Sequence, residues 1–404
     1  MRIKLPTGIK TNTIITYICF LVLVIVSWAP FMANNPMGST MLRRLLNYFV
    51  ILIIGVALVI GEKGKRFSLF ELTLIATFLI HRLFYIFYAY DYKGLGISYI
   101  IIGVFFCVIS DEERSDVFQL FRMFMIIISV VGIICYFSYR FHLGLPYAVV
   151  NRGSGVSWIN FKICYLMNEN NRMTRLNGTF EEPGWFGTWA AFFLCADGLN
   201  FRKKGNIILL LAGVLTFSLA FVLILIIYYV LRNVTDWKKW IFVLIFVLFY
   251  LTVLPYIKTG NYAIDRVIER MIITKDGLSG DNRYGSKFAK LYSDTIHSRK
   301  IFFGYGAGYA EIKGTGLGEG LASIKSYIVN FGIIGTIIIF CPLFCASVYK
   351  ALKNRNIQML LFVFISFISL YQRPYIFNPP NFIVFTCGLS YLELNNKLEK
   401  YEII

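Results

Sequence analysis

Long apolar runs dominate this chain and decide what it can fold into. Eleven of them alternate with polar breaks, near residues 14–33, 45–60, 67–90, 95–109, 117–139, 185–200, 206–231, 240–257, 327–349, 356–371 and 381–394. A helix of about 20 apolar residues crosses a bilayer. Because 57% of the residues are hydrophobic and 15% are charged, polar side chains cannot cover a soluble globule. The sequence therefore predicts an all-α polytopic membrane protein.

Basic residues concentrate in four short links between these runs. The links are residues 61–66, 201–205, 232–239 and 350–356. Since cytoplasmic loops are enriched in Lys and Arg, all four are predicted to face the cytoplasm. The run 206–231 carries such a link at both ends, which a single crossing cannot satisfy. We therefore predict two half-helices that meet near Thr216-Phe217-Ser218 and leave on the side from which they entered. One long helix is the alternative.

This split gives about twelve membrane segments, with both chain ends inside and two large loops outside. Segments 1–5 occupy residues 1–139, the first large loop 140–184, segments 6–9 residues 185–257, the second large loop 258–325, and segments 10–12 with a cytoplasmic tail 326–404. Both loops contain more basic than acidic residues. Long loops do not follow the charge rule, so we interpret this basicity as functional.

The second loop is predicted to form a small cap outside the membrane. Helices are expected at residues 262–273 and 286–298, followed by a glycine-dense segment at 304–320.

Seven of the eight cysteines fall inside apolar runs, which leaves Cys164 alone in a polar loop. We expect no disulfide framework. The three histidines show no metal-ligand spacing, so the sequence predicts no metal and no cofactor.

The stretch RLNGTFEEPGWFG, residues 175–187, places an arginine and two carboxylates just before an apolar run. Pro183 suits the first position of a helix and Glu182 can serve as its N-cap, which requires no function. The alternative is chemical. A helix N-terminus with the Arg175 guanidinium nearby suits a phosphate, and Glu182 or Glu181 could accept a proton from a hydroxyl.

Two further groups of cations lie on the same predicted side of the membrane. In the second loop, Arg283, Lys287 and Lys290 share a helical face, although a solvated amphipathic helix would also explain that spacing. In YQRPYIFNPPN, residues 371–381, Arg373 lies among aromatic residues and prolines. It either adds another cation to the site or snorkels. The glycines of GYGAG, residues 304–308, permit tight turns or close approach to a ligand but do not fit a dinucleotide motif.

In this order, these pieces resemble the bacterial O-antigen and exopolysaccharide polymerase (Wzy) family, within the O-antigen ligase-like group. The similarity rests on RLNGTFEEPGWFG, on LLAGVLTFSLAFVL at 210–223 in the place of the family's broken segment, on DNR followed by FFGYGAG, and on SYIVNFGIIGTIIIF at 326–340. The resemblance implies a metal-independent glycosyltransferase of the C type (GT-C). It would use undecaprenyl-diphosphate-linked oligosaccharide repeat units at the outer face of the bacterial plasma membrane.

The resemblance also implies roles for the candidate residues. The family's loop arginines, matched here by Arg175 and Arg283, would hold the diphosphate while Glu182 or Glu181 acts as base. The full set of predicted diphosphate ligands is Arg172, Arg175, Arg283, Lys287, Arg299 and Arg373. The histidine that the ligase branch carries near the glycine turn is missing from GYGAG, which favours a polymerase over a ligase.

Expected partners are membrane lipid, a flippase and a chain-length regulator, and no nucleic acid. A lipid-linked oligosaccharide flippase or other transporter is the rival class of protein. Transporters commonly show repeated halves and charges near the bilayer midplane. The chain shows no internal repeat and concentrates its charges in the outer loops, which favours an enzyme.

Overall fold

The computed structural model describes most of the chain from residue 67 onward. The described ranges are 67–90, 97–153, 156–170, 172–234, 256–260, 262–274, 277–278, 285–315, 321 and 323–402, with positions 18, 48–49, 51–54, 236, 241, 245, 248–249 and 252–253. The predicted runs 14–33, 45–60 and 240–257 therefore fall largely outside the described residues. The count of twelve membrane segments stays a prediction.

Helices make up most of the described chain. In order they are α1 Leu69–Phe87, α2 Ile97–Val108, α3 Asp111–Arg140, α4 Pro183–Ala196, α5 Lys204–Leu215, α6 Leu219–Arg232, α7 Tyr262–Met271, α8 Ser286–Ile296, α9 Lys300–Phe303, α10 Tyr309–Lys313, α11 Lys325–Lys353, α12 Ile357–Ser369 and α13 Pro379–Glu402. The strands are β1 Ala148–Gly153, β2 Val156–Asn160, β3 Tyr165–Glu169, β4 Met173–Gly178, β5 Ile273–Thr274 and β6 Gly277–Leu278. The helices predicted at 262–273 and 286–298 are confirmed as α7 and α8.

Two of the long helices begin at a sequence signal. Ser68 precedes α1 and Ser110 precedes α3, and each serine side chain accepts a hydrogen bond from the backbone N–H of a glutamate three residues later. The glutamates, Glu71 and Glu113, accept hydrogen bonds from the serine backbone N–H in return. This reciprocal arrangement is a capping box, which satisfies N–H groups that a helix start leaves without partners.

Within the described part of the chain, α1, α3 and α11 are long and apolar enough to cross a membrane. Their inner faces pack through aromatic rings. Phe118 of α3 lies 4.9 Å, between ring centroids, from both Phe193 of α4 and Tyr391 of α13. On the outer faces, large apolar side chains such as Ile134 and Ile337 stay more than half exposed. A broad exposed apolar surface is typical of a membrane contact, so the architecture is compatible with a membrane protein.

The prediction that the chain is all-α is wrong in one respect, because the first large loop contains a sheet. Strands β1 to β4 form a four-stranded antiparallel meander in sequence order. Leu176 of β4 packs on Gly132 of α3. Cys164, between β2 and β3, is fully buried rather than alone in a polar loop. A hydrogen bond with the Cys135 thiol, together with burial, raises the pKa of Cys164 well above its usual value.

The predicted break in the run 206–231 is confirmed. α5 ends at Leu215, α6 begins at Leu219, and Thr216-Phe217-Ser218 lies between them. The start of α5 and the end of α6, which are the ends away from this break, both meet the loop after α4. There Asn206 donates to the Asn200 carbonyl (2.9 Å) and Arg232 donates to the Gly198 carbonyl. At 12 and 14 residues, the two helices are about 18–21 Å long, shorter than the roughly 30 Å hydrocarbon core.

Ion pairs gather near the loop that joins α4 to α5, at what we call the ion-pair end of the bundle. They join Arg114 to Glu71 and Asp111, Arg122 and Lys203 to Asp197, and Lys350 to Asp111 and Glu393. The Arg114 side chain is 1% exposed. The opposite end, which we call the loop end, carries the β1–β4 sheet, the start of α4, helices α8 to α10 and the link 370–378. The site begins there.

Candidate functional site

The first turn of α4 lies at the loop end and presents a carboxylate. Pro183 occupies the first turn, as predicted, and Glu182 stands at the N-cap position with extended backbone. Its side chain makes no capping hydrogen bond. Instead, the Glu182 Oε2 atom accepts a hydrogen bond from the Arg373 Nη2 atom at 2.7 Å. The capping interpretation therefore explains the backbone of this turn and leaves its carboxylate turned towards a cation.

Arg373 is the most deeply placed of the predicted phosphate ligands whose positions are described. Its side chain is 5% exposed, whereas that of Glu182 is 54% exposed. The guanidinium carbon lies 4.6 Å from the ring centroid of Trp185, a cation–π contact that holds the planar group in place. The Nε atom is buried and makes no hydrogen bond within the described part of the chain. A buried guanidinium N–H without an acceptor is costly.

Arg373 is positioned by the link between α12 and α13. Asn381, near the start of α13, donates to the Tyr375 carbonyl at 2.9 Å and accepts from the Trp189 ring nitrogen at 3.0 Å. Tyr375 also stacks on Trp185, with ring centroids 5.8 Å apart. Asn381 and Tyr375 therefore hold this link against α4, where Arg373 meets Glu182 across 191 residues of sequence.

An apolar cleft opens beneath Arg373 between α4, α12 and α13. Its volume is about 30 Å³, and its lining includes Trp185, Phe192, Phe362, Ile376 and Phe385. The hydroxyls that line it also serve the helices: Thr188 donates to the Gly184 carbonyl and Ser366 to the Phe362 carbonyl. The cleft is therefore a narrow apolar groove that has one cation, Arg373, in its lining.

The Arg175 guanidinium is bound by other groups of the protein. Its guanidinium donates to the carbonyls of Thr216 (2.9 Å) and Phe217 (3.3 Å) and forms an ion pair with Glu169 (2.9 Å). It therefore binds the turn between the half-helices α5 and α6. Gly187 of α4 faces the same turn, because a Cβ atom there would lie 3.0 Å from the Thr216 hydroxyl. Arg175 thus reaches α4 through this turn at Gly187, whereas Arg373 packs on Trp185 of the same helix.

The other predicted site residues are more dispersed. Glu181 is exposed, and Arg172 lies over the Tyr262 ring at 5.6 Å. Lys287 donates to the Thr315 carbonyl at 3.3 Å. Arg299 is exposed at the N-cap position of α9. Arg283 lies outside the described residues. The structure therefore brings together Glu182 and Arg373, whereas Arg175 binds the turn between α5 and α6, and Arg172, Lys287 and Arg299 lie on the surrounding loops.

The GYGAG turn has a structural role that the sequence left open. Its three glycines have positive φ angles of 74°, 107° and 89°. A Cβ atom on Gly304 would collide with the Asn330 backbone. Ala307 exchanges hydrogen bonds with Tyr88 (2.7 Å) and Tyr90 (2.9 Å) at the end of α1. The close approach that these glycines permit is therefore to the chain's own α1 and α11.

This turn delivers a residue that the sequence analysis missed. Glu311 of α10 accepts a hydrogen bond from the Asn330 side chain at 3.0 Å, and the Asn330 oxygen accepts from the Ala310 backbone N–H at 2.8 Å. Asn330 is 1% exposed. The sequence does place one carboxylate, Glu311, three residues after the GYGAG turn. No local pattern, however, could show that Asn330 of α11 would contact that carboxylate.

Comparison with family models, with characterised proteins and with solved structures finds no match to this chain.

Proposed function

We propose that this chain is a polysaccharide polymerase of the O-antigen or capsule type. It transfers a growing glycan from undecaprenyl diphosphate to the non-reducing end of a lipid-linked repeat unit, without a metal. The observation that carries the proposal is the buried Arg373 guanidinium, beside a carboxylate and at the mouth of an apolar cleft. A lipid that carries a phosphate fits both features, because its head group binds a cation and its tail packs against apolar side chains.

The diphosphate is the leaving group of the proposed reaction. Negative charge grows on its oxygens as the bond to the anomeric carbon breaks, and a fixed guanidinium stabilises that charge more in the transition state than before it. Arg373 is held for this role by Trp185 and the link around it. The N-terminus of α4 adds the positive end of its dipole to the same corner.

The remaining candidates surround that corner. Arg175 holds the half-helix turn against α4, and the loop cations Arg172, Arg283, Lys287 and Arg299 are proposed to attract and orient the second phosphate. Glu182, or Glu181 beside it, is the candidate base that the sequence favours for the acceptor hydroxyl.

The proposed orientation places the loop end outside and the ion-pair end in the cytoplasm of a bacterial plasma membrane. The short links at the ion-pair end carry Lys203, Arg232, Lys350 and Arg355, which fits the excess of basic residues in cytoplasmic loops. A flippase that delivers repeat units and a regulator of chain length are the proposed partners.

Purified protein in liposomes, supplied with a lipid-linked repeat unit, provides the test. We expect a ladder of longer lipid-linked glycans on a gel, and no ladder from Arg373→Ala. Asp294→Asn, an exposed change on α8, serves as the control and should extend glycans normally. Movement of the repeat unit across the bilayer without extension would instead identify a flippase. Transfer only to a lipid A acceptor would identify a ligase.

A further inference from the structure

The GYGAG turn also assembles a group of tyrosine rings at the loop end. Tyr305 and Tyr309 stack with ring centroids 4.3 Å apart and an interplanar angle of 10°. Tyr90, at the end of α1, meets Tyr309 edge-on at 4.8 Å and is 46% exposed. The Lys300 ammonium lies 5.3 Å from the Tyr305 ring centroid. We call Tyr90, Tyr305 and Tyr309 the tyrosine platform. Such rings offer an apolar face with a polar tip.

Glu311 stands two residues after Tyr309 and is held by a neutral group. Asn330 clamps it by donating to the carboxylate while accepting from the backbone of the same short helix. The other carboxylates of the site are held differently, since Glu182 is bound to Arg373 and Glu169 to Arg175. Either of those would have to leave its guanidinium before taking a proton.

The helix that clamps Glu311 also contacts the link that carries Arg373. Tyr327, one turn before Asn330 on α11, hydrogen-bonds His81 of α1 at 3.1 Å, and the His81 ring stacks on Phe377 with ring centroids 4.3 Å apart. Phe377 lies in the link 370–378, where Tyr375 stacks on Trp185, the ring beneath Arg373. Glu311 and Arg373 are therefore joined through packed side chains of α11, α1 and this link.

We infer that the tyrosine platform and Glu311 form the acceptor subsite, which binds a saccharide and removes the proton from its attacking hydroxyl. This inference rests on the proposed function. Because Tyr305 and Tyr309 stack on each other, a sugar ring presents its C–H groups to Tyr90 and to the edges of the stacked pair, and its hydroxyls to the phenol groups and to Glu311. Proton removal suits a carboxylate fixed by a neutral amide, because among the described residues Glu311 has no ion pair that must break first.

The step balances with the groups already named. The acceptor hydroxyl oxygen forms a bond to the anomeric carbon of the donor glycan, and the bond from that carbon to the diphosphate oxygen breaks. The bonding electrons leave with the diphosphate, beside Arg373. The hydroxyl proton passes to the Glu311 carboxylate.

Steady-state kinetics of the full-length protein in liposomes separate the two parts of this subsite. At saturating donor, Glu311→Gln should lower kcat by about 10²-fold or more while the acceptor KM changes little. Tyr309→Ala and Tyr90→Ala should raise the acceptor KM about three- to tenfold and leave kcat nearly unchanged. The matched controls are Asp294→Asn and Tyr256→Ala, both exposed in this structure.

A rescue experiment distinguishes a lost base from a damaged fold. Glu311→Ala should regain part of its rate when formate is added, because formate can occupy the vacated space and accept the proton. Wild-type kcat in Glu311→Gln, or no response to formate in Glu311→Ala, would overturn the assignment of Glu311. An unchanged acceptor KM in both tyrosine variants would overturn the platform. Wild-type protein that extends no glycan would instead overturn the proposed function, and this inference with it.

Discussion

Replacing Arg175 by Ala should unfold the site rather than merely weaken a ligand. The change removes two hydrogen bonds to the turn between α5 and α6 and the ion pair with Glu169. Each hydrogen bond from a charged group contributes about 1.5–3 kcal/mol. Breaking a buried ion pair costs about 3–5 kcal/mol. Because these contributions overlap, we expect the free energy of unfolding to fall by about 3–5 kcal/mol in total.

We expect a larger loss of stability than for a surface ion pair, because both side chains of this pair are largely buried. The Arg175 and Glu169 side chains are 11% and 12% exposed, so water and salt screen their interaction only slightly. Arg175→Lys should recover part of the loss, since an ammonium cannot reach both carbonyls and the carboxylate at once. The turn itself lies inside the bundle, where Thr216 is fully buried, so its carbonyls have no water to replace the guanidinium.

The assay is reversible unfolding in mixed micelles with increasing denaturing detergent, followed by tryptophan fluorescence. Arg172→Ala is the matched control, because that arginine is exposed and its guanidinium lies over the Tyr262 ring face. Its cost should stay below about 1 kcal/mol. An Arg175→Ala protein as stable as the wild type, yet unable to bind donor, would refute the structural role and restore a pure ligand role.

Three further changes test the rest of the structure. Arg114→Met should lose about 3–5 kcal/mol in the same unfolding assay because it leaves the Glu71 carboxylate buried without its guanidinium, and the double change with Glu71→Leu should recover most of that loss. Gly304→Ala should lower the unfolding free energy by about 2 kcal/mol or more, whereas Gly260→Ala, also at positive φ but with open space around it, should cost about 1–2 kcal/mol. Arg373→Lys should weaken binding of labelled undecaprenyl diphosphate about tenfold, since an ammonium neither stacks on the indole nor matches a phosphate in two places.

Each of these expectations has an outcome that contradicts it. A tolerated Arg114→Met would show that the ion-pair end does not depend on that guanidinium. Equal losses from the two glycine changes would show that the crowding around residue 304 is unimportant. Undiminished binding by Arg373→Lys would reduce that residue to a simple positive charge.

Sequence patterns predicted the features that depend on neighbouring residues. The half-helix break at Thr216-Phe217-Ser218 followed from basic residues on both flanks, and the start of α4 followed from Pro183. The helices of the second loop followed from their spacing. In each case the signal lies within the same stretch of sequence or at its two ends, so tertiary contacts did not have to be known.

The β1–β4 sheet was missed because its strands carry a weak local signal. They are 5–6 residues long and mix polar with apolar positions. Irregular register between Asn151 and Gly153 and between Tyr165 and Leu166 further disturbs their alternation. Such strands are specified by pairing with each other, which no single segment records.

The sequence also could not show which residues the site arginines contact. Glu182 and Arg373 were both candidates, but the 191 residues between them gave no means of pairing them. Arg175 was expected to face a ligand, and its position beneath two backbone carbonyls depends on how α5 and α6 fold back. Glu311 was overlooked because its clamp, Asn330, lies within an apolar helix that reads as a membrane segment.

The most direct measurement locates the lipid itself. Undecaprenyl diphosphate carrying a photoreactive group on the prenyl carbons nearest the diphosphate can be crosslinked to the protein in liposomes and mapped by mass spectrometry. Labelling should fall on the cleft residues of α4, α12 and α13, around Trp185, Ser369 and Ile376, and should disappear in Arg373→Ala. Labels spread over α1 and α11, or unchanged without the guanidinium, would contradict a lipid diphosphate site at this cleft.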